Sequence, residues 1–424
     1  MFFICKMRSS ENLWFIIGIM LILDFYVFLA LRTVTTANFI RARVFIYSLF
    51  WIISIAIIIL LISFHYNPSF RTSKFFRNYV FALMVGILFT KIIAIIFFLI
   101  DDIRRVLFWI ISKFNTKTTL TNAANNTTSN YISRSVFLSW LGLGAGATFF
   151  STFLYGFTNK YNYQLKKIKL SFNHLPTAFK GFKIIHISDI HSGSFQNKKA
   201  VEKGVKKILE QQPDIILFTG DLVNDKHDEM LEYIDVFNQL KAPHGVFSIL
   251  GNHDYGDYIY WKSEEAKKEN LEKLKQIHAQ MGWRLLMNEH VAIKKDNDAF
   301  ALLGIENWGA KAHFPKYGKM KDAYKGTEKY TFKILMSHDP SHWDAEVRKK
   351  YTDIDLMLAG HTHGMQFGIE NPYFKWSPIQ WMYKQWAGLY EEGNQKLYIN
   401  RGFGFLGYPG RVGILPEITL IELS

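Results

Sequence analysis

The chain has 424 residues, of which 49% are hydrophobic and 16% aromatic, and its 50 Lys and Arg against 36 Asp and Glu give a formal net charge of +14. So apolar a composition excludes a disordered, collagen-like or low-complexity chain, and the length allows two or three domains of about 100–200 residues each. A single cysteine, Cys5, excludes an intramolecular disulfide framework and any cysteine-built zinc site, which leaves His, Asp and Asn as candidate ligands.

The charge is unevenly placed. Residues 1–157 carry 14 basic and 4 acidic groups, net +10, and the remaining 267 carry 36 and 32, net +4. A basic balance suggests nucleic acid or an anionic membrane surface as partner. Because the second region holds so little of the excess and has no basic stripe, no nucleic acid is expected there.

The first region contains four apolar runs: Leu13 to Leu31, Val44 to Phe64, Val80 to Ile100 and Val136 to Phe157. Each has about the 20 residues that a helix needs to cross roughly 30 Å of hydrocarbon. Ile52 to Ile62 offers no polar face to water, so four membrane spans fit better than buried helices of a soluble core. Asp24 and Lys91 interrupt the first and third runs. A structural pair or a polar group near an interface is the expectation, and transport or a helix-to-helix ion pair is the competing functional reading. Thr116 to Asn130, with the sequon-like Asn126-Thr127-Thr128, reads as a loop between the third and fourth spans.

With the N-terminus outside, the cytoplasmic loops hold eight basic residues: Arg32, Arg41, Arg43, Arg104, Arg105, Lys113, Lys117 and Arg134. The opposite loops hold five, Lys6, Arg8, Arg71, Lys74 and Arg77, which places the segment after Phe157 outside the cytoplasm. Ser133-Arg134-Ser135-Val136-Phe137-Leu138 resembles a twin-arginine export signal with Ser135 in the place of the second Arg. The expected organisation is a transmembrane anchor over 1–157, a linker and leading strand over 158–180, and one further domain over 181–424.

From Gly181 the pattern changes. Phe182 to Ile187, Ile215 to Phe218, Val246 to Leu250, Phe300 to Leu303, Phe332 to Met336, Leu356 to Leu358 and Ile418 to Ile421 read as buried strands. Lys199 to Gln211, Asp228 to Lys241, Lys262 to Gln280 and Ser341 to Lys350 read as helices, so the domain is α/β or α+β with helices covering its sheets.

Thirteen of the 14 histidines lie after Phe157, and five polar clusters follow expected strands: Asp189-Ile190-His191, Gly220-Asp221, Gly251-Asn252-His253-Asp254, Ser337-His338-Asp339-Pro340 and Gly360-His361-Thr362-His363-Gly364. Any one alone reads as a loop. Five in order, each at a strand end where α/β folds commonly place ligands, point to a site. Imidazole and carboxylate without thiolate suit two divalent ions among Mn, Fe, Zn and Ni. Two such ions share a bridging carboxylate and lower the pKa of a water between them.

The ordered blocks D-x-H, G-D, G-N-H-D, H and G-H-x-H resemble the calcineurin-like metallophosphoesterases, over about Lys180 to the end of the chain, and most closely a bacterial membrane-associated branch with an export-type apolar segment before the catalytic domain. Asn400-Arg401-Gly402-Phe403-Gly404, Arg411 and Pro416-Glu417-Ile418 are similar to that branch's closing strands. The resemblance implies a sandwich of two β-sheets flanked by helices. It assigns Asp189, His191 and His363 to a first metal, Asn252, His338 and His361 to a second, and Asp221 as the bridge. His253 would stabilise or protonate the leaving alkoxide, with Asp254 orienting its ring, during in-line attack by a metal-bridging hydroxide. Met365, where the branch commonly has Gly, and Gln366 depart from the pattern and alter the pocket rim. The chain is thus expected to be a bacterial inner-membrane phosphoesterase with its catalytic domain outside the cytoplasm, acting on a diester, a monoester or a lipid-linked pyrophosphate.

Tyr373, Phe374, Trp376, Trp381, Tyr383, Trp386 and Tyr390, among Lys375 and Lys384, suit a lipid-facing lip, with ordinary core and lid packing as the competing reading. A catalytically inactive phosphoesterase-like scaffold or sensor is the alternative function, against which the intact ligand set argues. No G-x-x-x-x-G-K-[ST] loop, G-x-S-x-G elbow or H-E-x-x-H helix is present.

Overall fold

The computed structural model describes residues 10–67, 70, 73, 75–114, 134–311, 314 and 316–424. The expected loop over 116–130 with its sequon, Ser133 of the export-like motif, and Lys6, Arg8, Arg71, Lys74 and Lys117 of the charge comparison lie outside the described residues. The chain divides into two compact units, 1–154 and 155–424.

The first unit contains four helices: α1 (Ser10–Val34), α2 (Ile40–Tyr66), α3 (Phe81–Phe114) and α4 (Arg134–Gly156). All four are long and apolar enough to cross a membrane. Ile52, Ile55 and Ile59 of α2 face outward, which is favourable only where hydrocarbon replaces water. α3 runs 14 residues beyond the apolar stretch that ends at Ile100, because Asp101 accepts hydrogen bonds from Arg104 and Arg105 one turn on and so stays compatible with helix. Within the apolar depth, Lys91 of α3 forms an ion pair with the fully buried Asp24 of α1 and donates to Ser54 of α2 at 3.2 Å. The two interrupting charges are therefore each other's partners, and the pair ties three helices together.

The second unit is built on two six-stranded sheets. Its strands are β1 (Gln164–Leu170), β2 (Lys183–Ile187), β3 (Ile215–Phe218), β4 (Val246–Ser248), β5 (Arg284–Leu285), β6 (Glu289–Lys295), β7 (Asp298–Gly304), β8 (Lys333–Met336), β9 (Leu356–Ala359), β10 (Ile369–Glu370), β11 (Lys375–Trp376), β12 (Gly388–Glu392), β13 (Gln395–Ile399) and β14 (Glu417–Leu423). One sheet runs β1-β14-β2-β3-β4-β5, with β14 antiparallel to β2 and the run from β2 to β5 parallel. The other runs β12-β13-β9-β8-β7-β6, parallel from β13 to β7. β1, in the segment read as linker and leading strand, pairs in parallel with β14.

Side chains alternate across each strand, so Ile184 packs between the sheets with Leu217, Leu302, Ile334, Leu358 and Ile421, while Ile185 and Ile187 face the helices outside. The outer layer includes α5 (Lys198–Leu209) and α6 (Glu264–Gln280), whose Val201, Val205, Ile208, Leu274 and Ile277 cover the first sheet. Asn197 and Ser263 cap the two helices by accepting from the amides of Ala200 and Ala266. At roughly 25 cal/mol per Å², each such buried aliphatic side chain contributes about 1.5–3 kcal/mol.

Two of the expected helices fall short. The segment read as helix over 228–241 is a 3₁₀ segment, His227–Tyr233, followed by one α-turn, Ile234–Phe237, and that over 341–350 is a π-turn, Trp343–Val347, ending in a short α-turn, Arg348–Lys350. Both lie against the sheets with Tyr233, Phe237 and Trp343 fully buried. Large side chains anchored there set the path of these short segments more strongly than helix propensity does.

Candidate metal centre

The parallel strands β2, β3 and β4 of one sheet and β8 and β9 of the other deliver their C-terminal ends to one edge of the sandwich. Asp189 and His191 follow β2, Asp221 follows β3, Asn252, His253 and Asp254 follow β4, His338 follows β8, and His361 and His363 follow β9. Backbone bonds stitch these loops together: the Asp189 amide donates to Gly220 O at 2.9 Å, and that of Gly360 to His338 O at 2.9 Å.

The turns are tight. Asp189, His191, Asp221, His361 and His363 all have left-handed backbones, with φ between 49° and 71°. That region is sparsely used by residues with a β-carbon and costs on the order of 1–3 kcal/mol each, so the surroundings must hold it in place. Gly251 and Gly360 answer a second demand, close approach, since a β-carbon at either would run into Asp221 Oδ1 or Asp189 Oδ2.

Two groups of side chains result. Asp189, His191 and His363 present ligand atoms within 4.8 Å of one another, and so do Asp221, His338 and His361. Asp221 Oδ2 lies 3.5 Å from His191 Nε2 and 3.1 Å from His338 Nε2, so it faces an imidazole of each group. Asn252 Oδ1 lies 2.7 Å from His361 Nδ1, which puts this amide beside the second group.

The donor set fits divalent cations. His191 Nε2 is a buried nitrogen with no hydrogen-bond partner, an expensive state for a polar atom unless a cation takes its lone pair, and His338 Nε2 and His363 Nε2 face only the Asp221 and Asp189 carboxylates, at 3.1 and 3.3 Å. The far ring nitrogens are held: His338 Nδ1 by Thr219 O at 2.7 Å, His191 Nδ1 by Asn224 Oδ1 at 3.1 Å, and His361 Nε2 by the Tyr383 hydroxyl at 2.9 Å. Each of these bonds fixes ring orientation and leaves the other nitrogen to the site. Burial holds His191 and His361 below the usual histidine range, hence neutral and able to ligate. Burial also opposes charge on His338, but the Asp221 carboxylate outweighs it and raises that ring to about 10. A cation between them would displace this proton. Burial raises the Asp189 and Asp221 carboxyls, yet the surrounding histidines win and hold both below the ordinary carboxylate value.

His253 and Asp254 depart in one respect from the expectation. The His253 ring donates from Nδ1 to the Asn224 carbonyl at 2.7 Å. Asp254, expected to orient that ring, instead accepts from four backbone amides, those of Leu222 and Val223 at Oδ1 and those of Asp221 and Gly251 at Oδ2. The reason is geometric: Asp254 sits beneath the 220–223 turn, where amides converge and no imidazole reaches it. Its carboxylate thus holds the turn that presents Asp221.

Sequence reading missed Asn224, whose side chain holds His191 and whose carbonyl holds His253, and Tyr383, which holds His361. Asn224 lies three residues past Asp221, but nothing in an isolated Asn signals such a role. Tyr383 stood in the aromatic run and is buried, unlike its neighbours Tyr373 and Trp381, which are 97% and 77% exposed. Arg411, fully buried, donates to the carbonyls of His363, Arg401, Gly402 and Gly404 and so fastens the closing loop to the site. Of the two departures at the rim, Met365 is exposed, whereas Gln366 is buried and bonds Tyr408 O, Gly410 O and the Leu406 amide.

A model of the calcineurin-like phosphoesterase family matches residues 182–365, and a model described as a probable calcineurin-like phosphoesterase transmembrane domain matches residues 7–160. The uncharacterized metallophosphoesterase YkuE of Bacillus subtilis is 28% identical over 258 residues, covering 59% of this chain and 82% of the relative. YkoQ of the same organism, also an uncharacterized metallophosphoesterase, is 28% identical over 251 residues, 58% of this chain and 85% of the relative. Phosphodiesterase YaeI of Escherichia coli is 28% identical over 246 residues, 57% of this chain and 82% of the relative. With its four apolar helices, its paired sheets and its clustered histidines and aspartates, the chain belongs to the calcineurin-like metallophosphoesterases, as an integral membrane hydrolase of phosphate esters.

Proposed function

We propose that the site is binuclear and hydrolyses a phosphodiester. The observation that carries this is Asp221, whose Oδ2 faces His191 of one ligand group and His338 of the other. Asp189, His191 and His363 would hold one ion, Asn252, His338 and His361 the second, and Asp221 both. When bound, such a pair supplies a water of lowered pKa and positive charge for the phosphoryl oxygens.

The chain's own residues do the rest. His253, with Nδ1–H committed to the Asn224 carbonyl, has Nε2 as its free edge. Burial keeps the ring neutral when the site lacks an anion, and an arriving phosphoryl group favours the imidazolium, which then donates a proton to the leaving oxygen. Asp254 keeps the Asp221 turn in place. Thr219, Asn224 and Tyr383 prevent the imidazoles from rotating.

The name of the YaeI relative, a phosphodiesterase, supports a diester. The exposed Tyr373, Phe374, Trp381 and Met382 favour, as a second reading, a diester or pyrophosphate bearing an apolar tail. The basic-residue bias supports placement of the catalytic unit outside the cytoplasm of a bacterial inner membrane, and a reporter fused after Ser424 tests it. For the reaction, full-length protein stripped with EDTA and reloaded with Mn²⁺, Fe²⁺, Zn²⁺ or Ni²⁺ is assayed on bis-p-nitrophenyl phosphate and p-nitrophenyl phosphate. Turnover is expected with the diester, lost in Asp221→Ala together with bound metal. No turnover with any ion, or turnover unchanged in Asp221→Ala, returns the chain to the scaffold or sensor alternative.

A further inference from the structure

The four-helix unit contains a polar cavity that the phosphoesterase chemistry does not use. It measures about 490 Å³, within the ~300–1,000 Å³ of small-ligand sites. All four helices contribute to its walls: Arg32 and Thr33 of α1, Arg43 and Tyr47 of α2, Arg105 of α3 and Ser139 of α4. It lies where the apolar run of α3 is interrupted after Ile100 by the charged Asp101, Asp102, Arg104 and Arg105.

The hydrogen-bonding state of its walls decides what the cavity can take. The carboxylates are already engaged, Asp101 by Arg104 and Arg105, and Asp102 by the Tyr26 hydroxyl with Arg105 at 3.9 Å. Three of the hydroxyls are engaged as well: Thr33 donates to Leu29 O, Thr36 to Thr33 O, and Tyr47 pairs with Thr35. Among the described residues, Arg32 and Arg43 have no ion-pair partner, and Arg43 Nε is buried without any hydrogen bond. Burying Arg43 Nε without a hydrogen bond is costly, and the cavity leaves this guanidinium and the exposed one of Arg32 as donors for an anion.

We propose that this cavity binds a phosphate-bearing anion, with Arg32 and Arg43 as its charged donors. Guanidinium forks match phosphate oxygens two at a time, and basic pockets between membrane helices suit anionic headgroups. The same chemistry is carried by the headgroup of an anionic phospholipid and by free phosphate.

Full-length protein in neutral detergent, with EDTA present to silence metal-dependent phosphate binding, is titrated at constant ionic strength with dihexanoyl phosphatidylglycerol, dihexanoyl phosphatidylcholine or inorganic phosphate while Tm is recorded. A saturable rise with phosphatidylglycerol alone identifies a lipid site, and an equal rise with inorganic phosphate identifies a free-phosphate site. In either case the midpoint is expected to move at least about tenfold higher in Arg32→Gln/Arg43→Gln. Turnover of a soluble ester by that variant, reloaded with metal, should equal the unmutated chain's, since neither residue lies in the catalytic unit. If the Gln pair fails to fold, Arg32→Lys/Arg43→Lys decides: a raised midpoint reports loss of the guanidinium fork, and an unchanged one overturns the proposal. It is equally overturned by no saturable rise with either anion, by an equal rise with phosphatidylcholine, or by a rise that survives in the Gln pair.

Discussion

His253 and Asp254 are adjacent, both buried, and separable by what they touch. His253 hangs from one carbonyl and faces the site, so His253→Ala should lower kcat by about 10²–10⁴-fold while leaving metal content and Tm near those of the unmutated chain. Asp254 accepts four backbone amides with both oxygens. Burial and the neighbouring Asp221 charge push its carboxyl up to about 7, against the pull of those amides. In Asp254→Asn the new NH₂ must point at two backbone N–H groups whichever way it is turned. The variant should therefore lose on the order of 2–4 kcal/mol of stability and bind metal poorly, a pattern visible as a lower Tm and a lower metal count. A His253→Ala protein as unstable as Asp254→Asn, or an Asp254→Asn protein with normal Tm, contradicts this division. The candidate ligands that the structure gathers were legible in the sequence because few residue types bind such ions and each stood beside a strand end. Asn224, the Thr219 carbonyl and Tyr383 were not, because they act through orientation, and orientation has no residue-type signature.

At the level of the element, most of the buried strands were readable because an apolar run with turns at both ends has few other uses; β13, buried but opening on Gln395 and Lys396, was not read. Ile215 to Phe218 coincides with β3, and Leu356 to Leu358 falls one residue short of β9. β6 and β12 escaped because each has a wet face: Glu289, Glu391 and Glu392 are exposed, and the polar residues dilute the apolar signal. α6 was readable over most of its length, yet its one titratable core residue was not singled out. His278 is fully buried, with Nδ1 bonded to Ser248 Oγ of β4 at 2.9 Å. Burial depresses its pKa from the usual 6.5 to about 3. Folding therefore favours the neutral ring: its contribution is intact above pH 6.5, where the unfolded chain is also neutral, and is lost as pH falls toward 3, because only the unfolded chain takes the proton. At pH 5 that loss is about 2 kcal/mol. His278→Gln should start less stable at pH 7.5 yet lose less Tm between pH 7 and pH 5 than the unmutated chain, read by thermal unfolding at both ends. Parallel slopes for the two proteins would count against it.

Across the whole molecule, the net charge of +14 separates into +10 on the membrane unit and +4 on the rest, so most of the basic excess lies with the apolar helices. The same unit holds an opposing pair within its apolar stretches, Asp24 with Lys91, in a contact between α1 and α3 that also reaches Ser54 of α2. Asp24 Oδ2 has no hydrogen-bond partner, so removal of Lys91 would leave a fully buried carboxylate with nothing to offset its desolvation. Breaking a buried pair from one side costs about 3–5 kcal/mol, whereas replacing both members by apolar residues is often neutral. Lys91→Leu is therefore expected to lower Tm and the yield of folded protein in membranes, and Asp24→Leu/Lys91→Leu to recover most of both. Turnover per folded molecule should stay the same throughout, because every candidate ligand belongs to the other unit, 155–424. A double variant no more stable than Lys91→Leu would show that the pair contributes more than mutual neutralisation. A change in turnover that follows the charge rather than the folded fraction would instead make Asp24 and Lys91 functional groups, as the transport reading requires.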